Sequence, residues 1–158
     1  MRTSKVLVGS VVAIAAALQI GMAATASSAA DESISVAAVA LDSSKKNLLV
    51  DVVFTCAEGA KHSMISVAVQ EDAKEGAKPA EGMGMADVDL TEKDPDTGED
   101  VVAEKGCDGS EQRRTVTVEP DDGMKWSQPG KGTVTVSFSD DVQFNTKHSG
   151  VQWIGLPD

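Results

Sequence analysis

The sequence predicts an all-β, antiparallel fold, a sandwich or barrel of about seven short strands. Three observations carry this: apolar residues recur at every second position in several short runs, turn chemistry separates those runs, and the one briefly helical stretch, Glu71 to Gly84, is interrupted by Gly76, Pro79 and Gly82. At 41% hydrophobic residues the chain has enough apolar side chains for a core.

The strands can be taken in order. Ile34 and Val36 begin the first. Leu48, Val50, Val52, Phe54 and Cys56 alternate with Leu49, Asp51, Val53 and Thr55, which predicts a long half-buried strand. Ile65, Val67 and Val69 give a third strand, and Ala86, Val88 and Leu90, interleaved with Asp87 and Asp89, a fourth. Val116 with Val118, then Val134, Val136 and Phe138, give two more, and Val151 with Trp153 a last short one. Ala57-Glu58-Gly59, Pro120 to Gly123 and Gln128-Pro129-Gly130 supply the preset or positive φ angles of turns. Gly76, Pro79 and Gly82 interrupt Glu71 to Gly84, which therefore reads as a mobile loop, and Thr91 to Gln112 reads as a second long connection.

Residues 1–30 form a separate unit. Arg2 and Lys5 precede an apolar run from Val6 to Ile20, followed by small residues up to Ala30. This is the order of a secretory signal peptide, with candidate cleavage after Ala30 or after Ala26. The apolar run falls short of the roughly 20 residues that span a bilayer. No stable membrane anchor is expected, and residues 31–158 are read as a single secreted, extracellular domain.

The chain carries 14 Lys and Arg against 25 Asp and Glu, a net charge of −11, and loss of residues 1–30 removes two cations and no acid. Aromatics are 3% and Tyr is absent. Nucleic acid is excluded as a partner, because phosphate needs basic patches and exposed bases need stacking rings. An unknown protein or small ligand is left as the partner class, with a monomer expected from the self-repulsion of so acidic a surface.

Cys56 and Cys107 are the two cysteines. In an exported chain they predict one disulfide, and their spacing lacks the Cys-x-x-Cys form of a redox pair.

The run Val52-Val53-Phe54-Thr55-Cys56-Ala57-Glu58-Gly59, then Ile65 to Gln70, then Cys107-Asp108-Gly109, resembles small secreted actinobacterial domains of unknown function. The resemblance implies an immunoglobulin-like β-sandwich with one disulfide behind an Ala-rich signal peptide. It implies no activity. A true immunoglobulin domain places a Trp about a dozen residues after its first Cys, whereas Trp126 and Trp153 both follow Cys107.

Four motifs bear on chemistry. Asp96-Thr97-Gly98 spells the aspartic-protease triplet but lacks a second copy to share its proton, so it reads as a solvated turn. Asp94, Asp96 and Asp100 offer alternating oxygen ligands for a weak calcium site, although Lys105 stands where an EF-hand has its closing Glu. Lys61-His62-Ser63 and Lys147-His148-Ser149 place His beside Ser, but neither Ser sits in a nucleophile elbow, so hydrolase chemistry is the least supported class. His62 with Met64, and Met83 with Met85, are soft ligands two apart that suit Cu(I) if they converge. The expectation is a secreted acidic binding or structural protein, with no cofactor and no enzyme activity. Extracellular metal binding through these residues is the alternative.

Overall fold

A computed structural model describes residues 32–154. The expected signal peptide, its cleavage sites and the C-terminal residues 155–158 lie outside the described residues. Among the described residues nine strands follow in chain order: β1 Ser33–Leu41, β2 Leu48–Thr55, β3 Met64–Glu71, β4 Glu81–Asp87, β5 Leu90–Lys93, β6 Asp100–Glu104, β7 Glu111–Pro120, β8 Gly130–Phe138 and β9 Asp141–Trp153. Seven of them form one antiparallel sheet in the order β1-β2-β7-β4-β3-β8-β9, and β5 pairs with β6 alone. No described residue is helical.

The sheet curls until its two end strands nearly meet. No continuous backbone ladder bridges that seam among the described residues: Thr146 Oγ1 donates to the Ile34 carbonyl at 2.7 Å, the Val36 N–H donates to His148 Nε2 at 3.3 Å, and the Leu41 N–H donates to the Ile154 carbonyl at 3.5 Å. Inside lie Leu48, Val50, Val52 and Phe54 of β2, Ile65 and Val67 of β3, Val116 and Val118 of β7, and Val134, Val136 and Phe138 of β8, all fully buried. These are the alternating positions of the sequence, because successive side chains on a strand point to opposite faces. The Phe54 and Phe138 rings meet edge to face at 5.9 Å, and Trp126 and Trp153 do the same at 6.0 Å toward the other end of the core.

The narrowest part of the sheet is the β4–β7 ladder, where only Gly82↔Pro120 and Met83↔Glu119 pair. A methyl group added to Gly82 would overlap the Glu119 carbonyl, and one added to Gly84 would overlap the Thr117 carbonyl. The β7 backbone thus lies where inward β4 side chains would be, and only glycine permits so close an approach.

Four sequence expectations need correction. Glu71 to Gly84 is not a loop throughout, since β4 begins at Glu81. Ala86 to Leu90 is not one strand: the chain bends at Val88 and Asp89, because Val88 turns into the core while the chain leaves the sheet. Thr91 to Gln112 is not a bare connection but contains most of the β5–β6 hairpin. The last strand is 13 residues long rather than a short piece around Val151 and Trp153.

Candidate functional site

The β5–β6 hairpin stands apart from the barrel as an arm, and both of its feet are fastened. The disulfide between Cys56 and Cys107 is formed, with a Cα–Cα separation of 4.8 Å, and joins the end of β2 to the chain just after β6. The Gly109 N–H donates to the Cys56 carbonyl at 3.0 Å beside it. On the other foot, Val88 is fully buried and its N–H donates to the Ser63 carbonyl at 2.9 Å. Gly106 lies against Val88 so closely that a methyl group there would overlap the Val88 carbonyl, and its N–H donates to Asp89 Oδ1 at 2.8 Å. The feet therefore lock to each other as well as to the barrel.

Arg114 completes the fastening. It occupies a core-facing position of β7, opposite Val52, and is only 7% exposed. Its guanidinium donates through Nη2 to the Val88 carbonyl and through Nη1 to the Arg113 carbonyl, each at 2.6 Å. It also lies 3.6 Å from Glu104 Oε1 and 5.6 Å from the centre of the Phe54 ring. A buried cation is tolerated only when paired and hydrogen-bonded, and the arm supplies two of its partners.

Every residue of β5 and β6 is exposed. Among them Leu90, Val101 and Val102 are 43%, 44% and 53% exposed, which leaves three apolar side chains without cover on one short ribbon. Leu90 to Glu104 also carries six carboxylates, at Glu92, Asp94, Asp96, Glu99, Asp100 and Glu104, against Lys93. Lys93 pairs with Asp100 at 2.7 Å. At the tip, Asp94 Oδ1 accepts the N–H groups of Thr97 and Asp96 at 3.0 and 2.8 Å, and these bonds hold its carboxyl below the usual carboxylate range.

The calcium candidates sit on this arm but do not converge. Asp94 spends its carboxylate on the turn, Asp100 pairs with Lys93, and Asp96 is exposed within the turn. Asp96-Thr97-Gly98 is thus a solvated tip. Among the described residues no three His, Cys, Asp or Glu side chains are grouped as metal ligands would be.

The copper candidates separate into two places. Met64, Met83 and Met85 share the outer face of β3 and β4, where Ser66 pairs with Met85 and Ala68 with Met83. His62 is committed elsewhere: it stacks on Phe138 at 4.0 Å, with Nδ1 at 3.0 Å from Asp140 Oδ1 and Nε2 at 3.3 Å from Glu32 Oε2. His62 thus faces these two carboxylates, and His148 Nε2 accepts the Val36 N–H.

Two anchoring side chains escape a reading by motif, although a signal for each exists. Arg114 is in phase with Val116 and Val118, and Glu71 is in phase with Ile65, Val67 and Val69. A charge in an apolar register marks a buried anchor. Glu71, 5% exposed, accepts the Ala80 N–H at 3.3 Å and the Ser127 N–H at 3.1 Å, fastening the barrel's other end.

Comparisons with protein-family models, curated proteins and solved structures find no match to this chain.

Proposed function

We propose that this chain is a secreted binding protein in which a rigid barrel presents the β5–β6 arm, and that it acts without turnover. The observation that carries the reading is an arm whose feet are locked by a disulfide, Val88, Gly106 and Arg114 while all of its strand residues are exposed. A two-stranded ribbon is marginal in water on its own, so fastening it this firmly makes sense when its surface is used. In this reading β1-β2-β7 and β4-β3-β8-β9 act as the two layers of an immunoglobulin-like sandwich of the secreted actinobacterial kind. The narrow β4–β7 junction and the Phe54–Phe138 contact support that view. The disulfide is compatible with export.

The test is an arm-shortened variant in which residues 91–102 are replaced by an Asn-Gly turn. Proteins crosslinked to it in culture medium are compared with those crosslinked to the full protein. The shortened form should keep its disulfide and melting transition and lose its specific crosslinks. Identical crosslinks from both forms would refute the reading, and an intact mass that retains residues 1–30 would refute export.

A further inference from the structure

The arm is an open ribbon with three bare apolar side chains, two unpaired backbone edges and one sign of charge in large excess. We propose that it docks a cationic protein partner, which lays an extended basic segment along the arm, covers Leu90, Val101 and Val102, and pairs its Lys or Arg side chains with the arm's carboxylates. This deepens the binding reading above and rests on it.

The edges come first. Among the described residues β5 and β6 pair only with each other, so each presents an outer edge of N–H and C=O groups to an added strand. Natural edges are usually closed by Lys, by Pro or by a covering element. Here the closing charge is acidic, and its sign selects the occupant. A second copy of this chain brings a net charge of −11 and the same six carboxylates, so like charges would face each other along any arm-to-arm ladder. An acidic or neutral strand gains nothing from these side chains, whereas a basic one gains at Glu92, Asp96 and Glu99. Asp94, Asp100 and Glu104 contribute less, being engaged with the turn, with Lys93 and with Arg114.

The apolar residues set the form of the partner. Thr91 pairs with Val102 and Glu92 with Val101, so Val101 and Val102 lie on opposite faces of the ribbon. An added strand whose side chains alternate can touch both faces at once, with Lys or Arg interleaved among apolar residues. The fastened feet fix the arm in advance, so little ordering accompanies docking.

The probe is an eight-residue Lys-Val peptide repeating Lys-Lys-Val-Val, which gives each face both residue types, with Glu-Val and Lys-Ser peptides of the same pattern as comparators, titrated by fluorescence anisotropy against the full secreted protein. The Lys-Val peptide should bind, and its affinity should fall about tenfold between roughly 50 and 200 mM salt. A Glu92→Lys, Asp96→Lys double variant and a Val101→Ser, Val102→Ser double variant should each weaken it about tenfold or more. All four positions are exposed, and an unchanged melting transition with unchanged amide exchange at Gly106 verifies that the arm still stands. Binding that ignores both variants overturns the proposal as general attraction to an acidic surface. No binding by any peptide overturns it as well. Equal binding of the Glu-Val peptide, lost in the Val101→Ser, Val102→Ser variant, overturns the cationic partner while leaving the arm as the binding element.

Discussion

Arg114 and Val88 are joined by a 2.6 Å hydrogen bond from guanidinium to carbonyl, which couples the core-facing register of β7 to the foot of the arm. The same side chain reaches Glu104, which pairs with Leu90 at the foot of the other strand. One residue thus links barrel and arm, and it does so from a position that Val116 and Val118 mark as interior.

Replacing Arg114 with Met should destabilise the protein by about 1–3 kcal/mol, because the buried Val88 carbonyl loses its partner while the methionine still fills the space. Urea unfolding measures this. The local effect should exceed the global one: amide exchange at Gly106 should accelerate more than exchange in the middle of β2. Arg114→Lys should recover only part of the loss, since an ammonium cannot reach separate acceptors as a planar fork does.

The disulfide closes a loop between positions 51 apart, and chain entropy makes such a closure worth on the order of 4 kcal/mol. Cys56→Ala should therefore cost about 2–5 kcal/mol in urea. Peptide mapping without reductant should find the linked Cys56–Cys107 pair in the secreted protein. Two free thiols in the folded material would contradict the structure.

Gly82→Ala should be far more damaging than its chemistry suggests. The added methyl collides with the Glu119 carbonyl, and Trp126 Cζ2 stands 3.1 Å away on the other side. Neither neighbour is the free end of a flexible side chain, so β7 itself must shift. The expected loss is about 3 kcal/mol or more, at the upper end for overpacking. By contrast Gly123→Ala, which meets nothing within 4 Å, should cost only what its positive φ demands, about 1 kcal/mol. Thermal midpoints of the two variants give the comparison.

The same positions explain what could and could not be read in the sequence. β2 was legible from Leu48 to Cys56 because every second side chain enters the core. β4 was hidden because its pattern is inverted: Gly82 fills an interior position while Met83 and Met85, 59% and 54% exposed, face outward. β5 and β6 bury nothing, and a strand with no buried face leaves no period-two trace. Most of β9 was missed for a related reason, since Thr146 and His148 meet the seam through polar atoms where an apolar residue would have given a signal. The cystine was legible from cysteine number alone, but its role as an arm fastening was not. That role depends on Val88, Gly106 and Arg114 meeting across the fold.

His62 gives the pH dependence. Burial alone would lower its pKa, yet Asp140 and Glu32 outweigh burial and hold it above the ordinary imidazole value. The geometry explains the sign: both partners only accept hydrogen bonds, so both ring nitrogens are satisfied together only when both carry protons. The folded pKa is thus raised above the unfolded one. The stabilisation is fully present below the unfolded value of about 6.5 and is lost as pH rises through the higher folded value. These contacts tie the residue just before β1 to the β8–β9 turn, so their loss loosens the lower part of the seam. His62→Phe keeps the stacking on Phe138 and removes the charge. The stability difference between wild type and this variant should be largest near about pH 6 and should shrink toward about pH 9. Paired urea titrations across that range measure it, and a difference that grows with pH would show that the imidazole is held neutral instead.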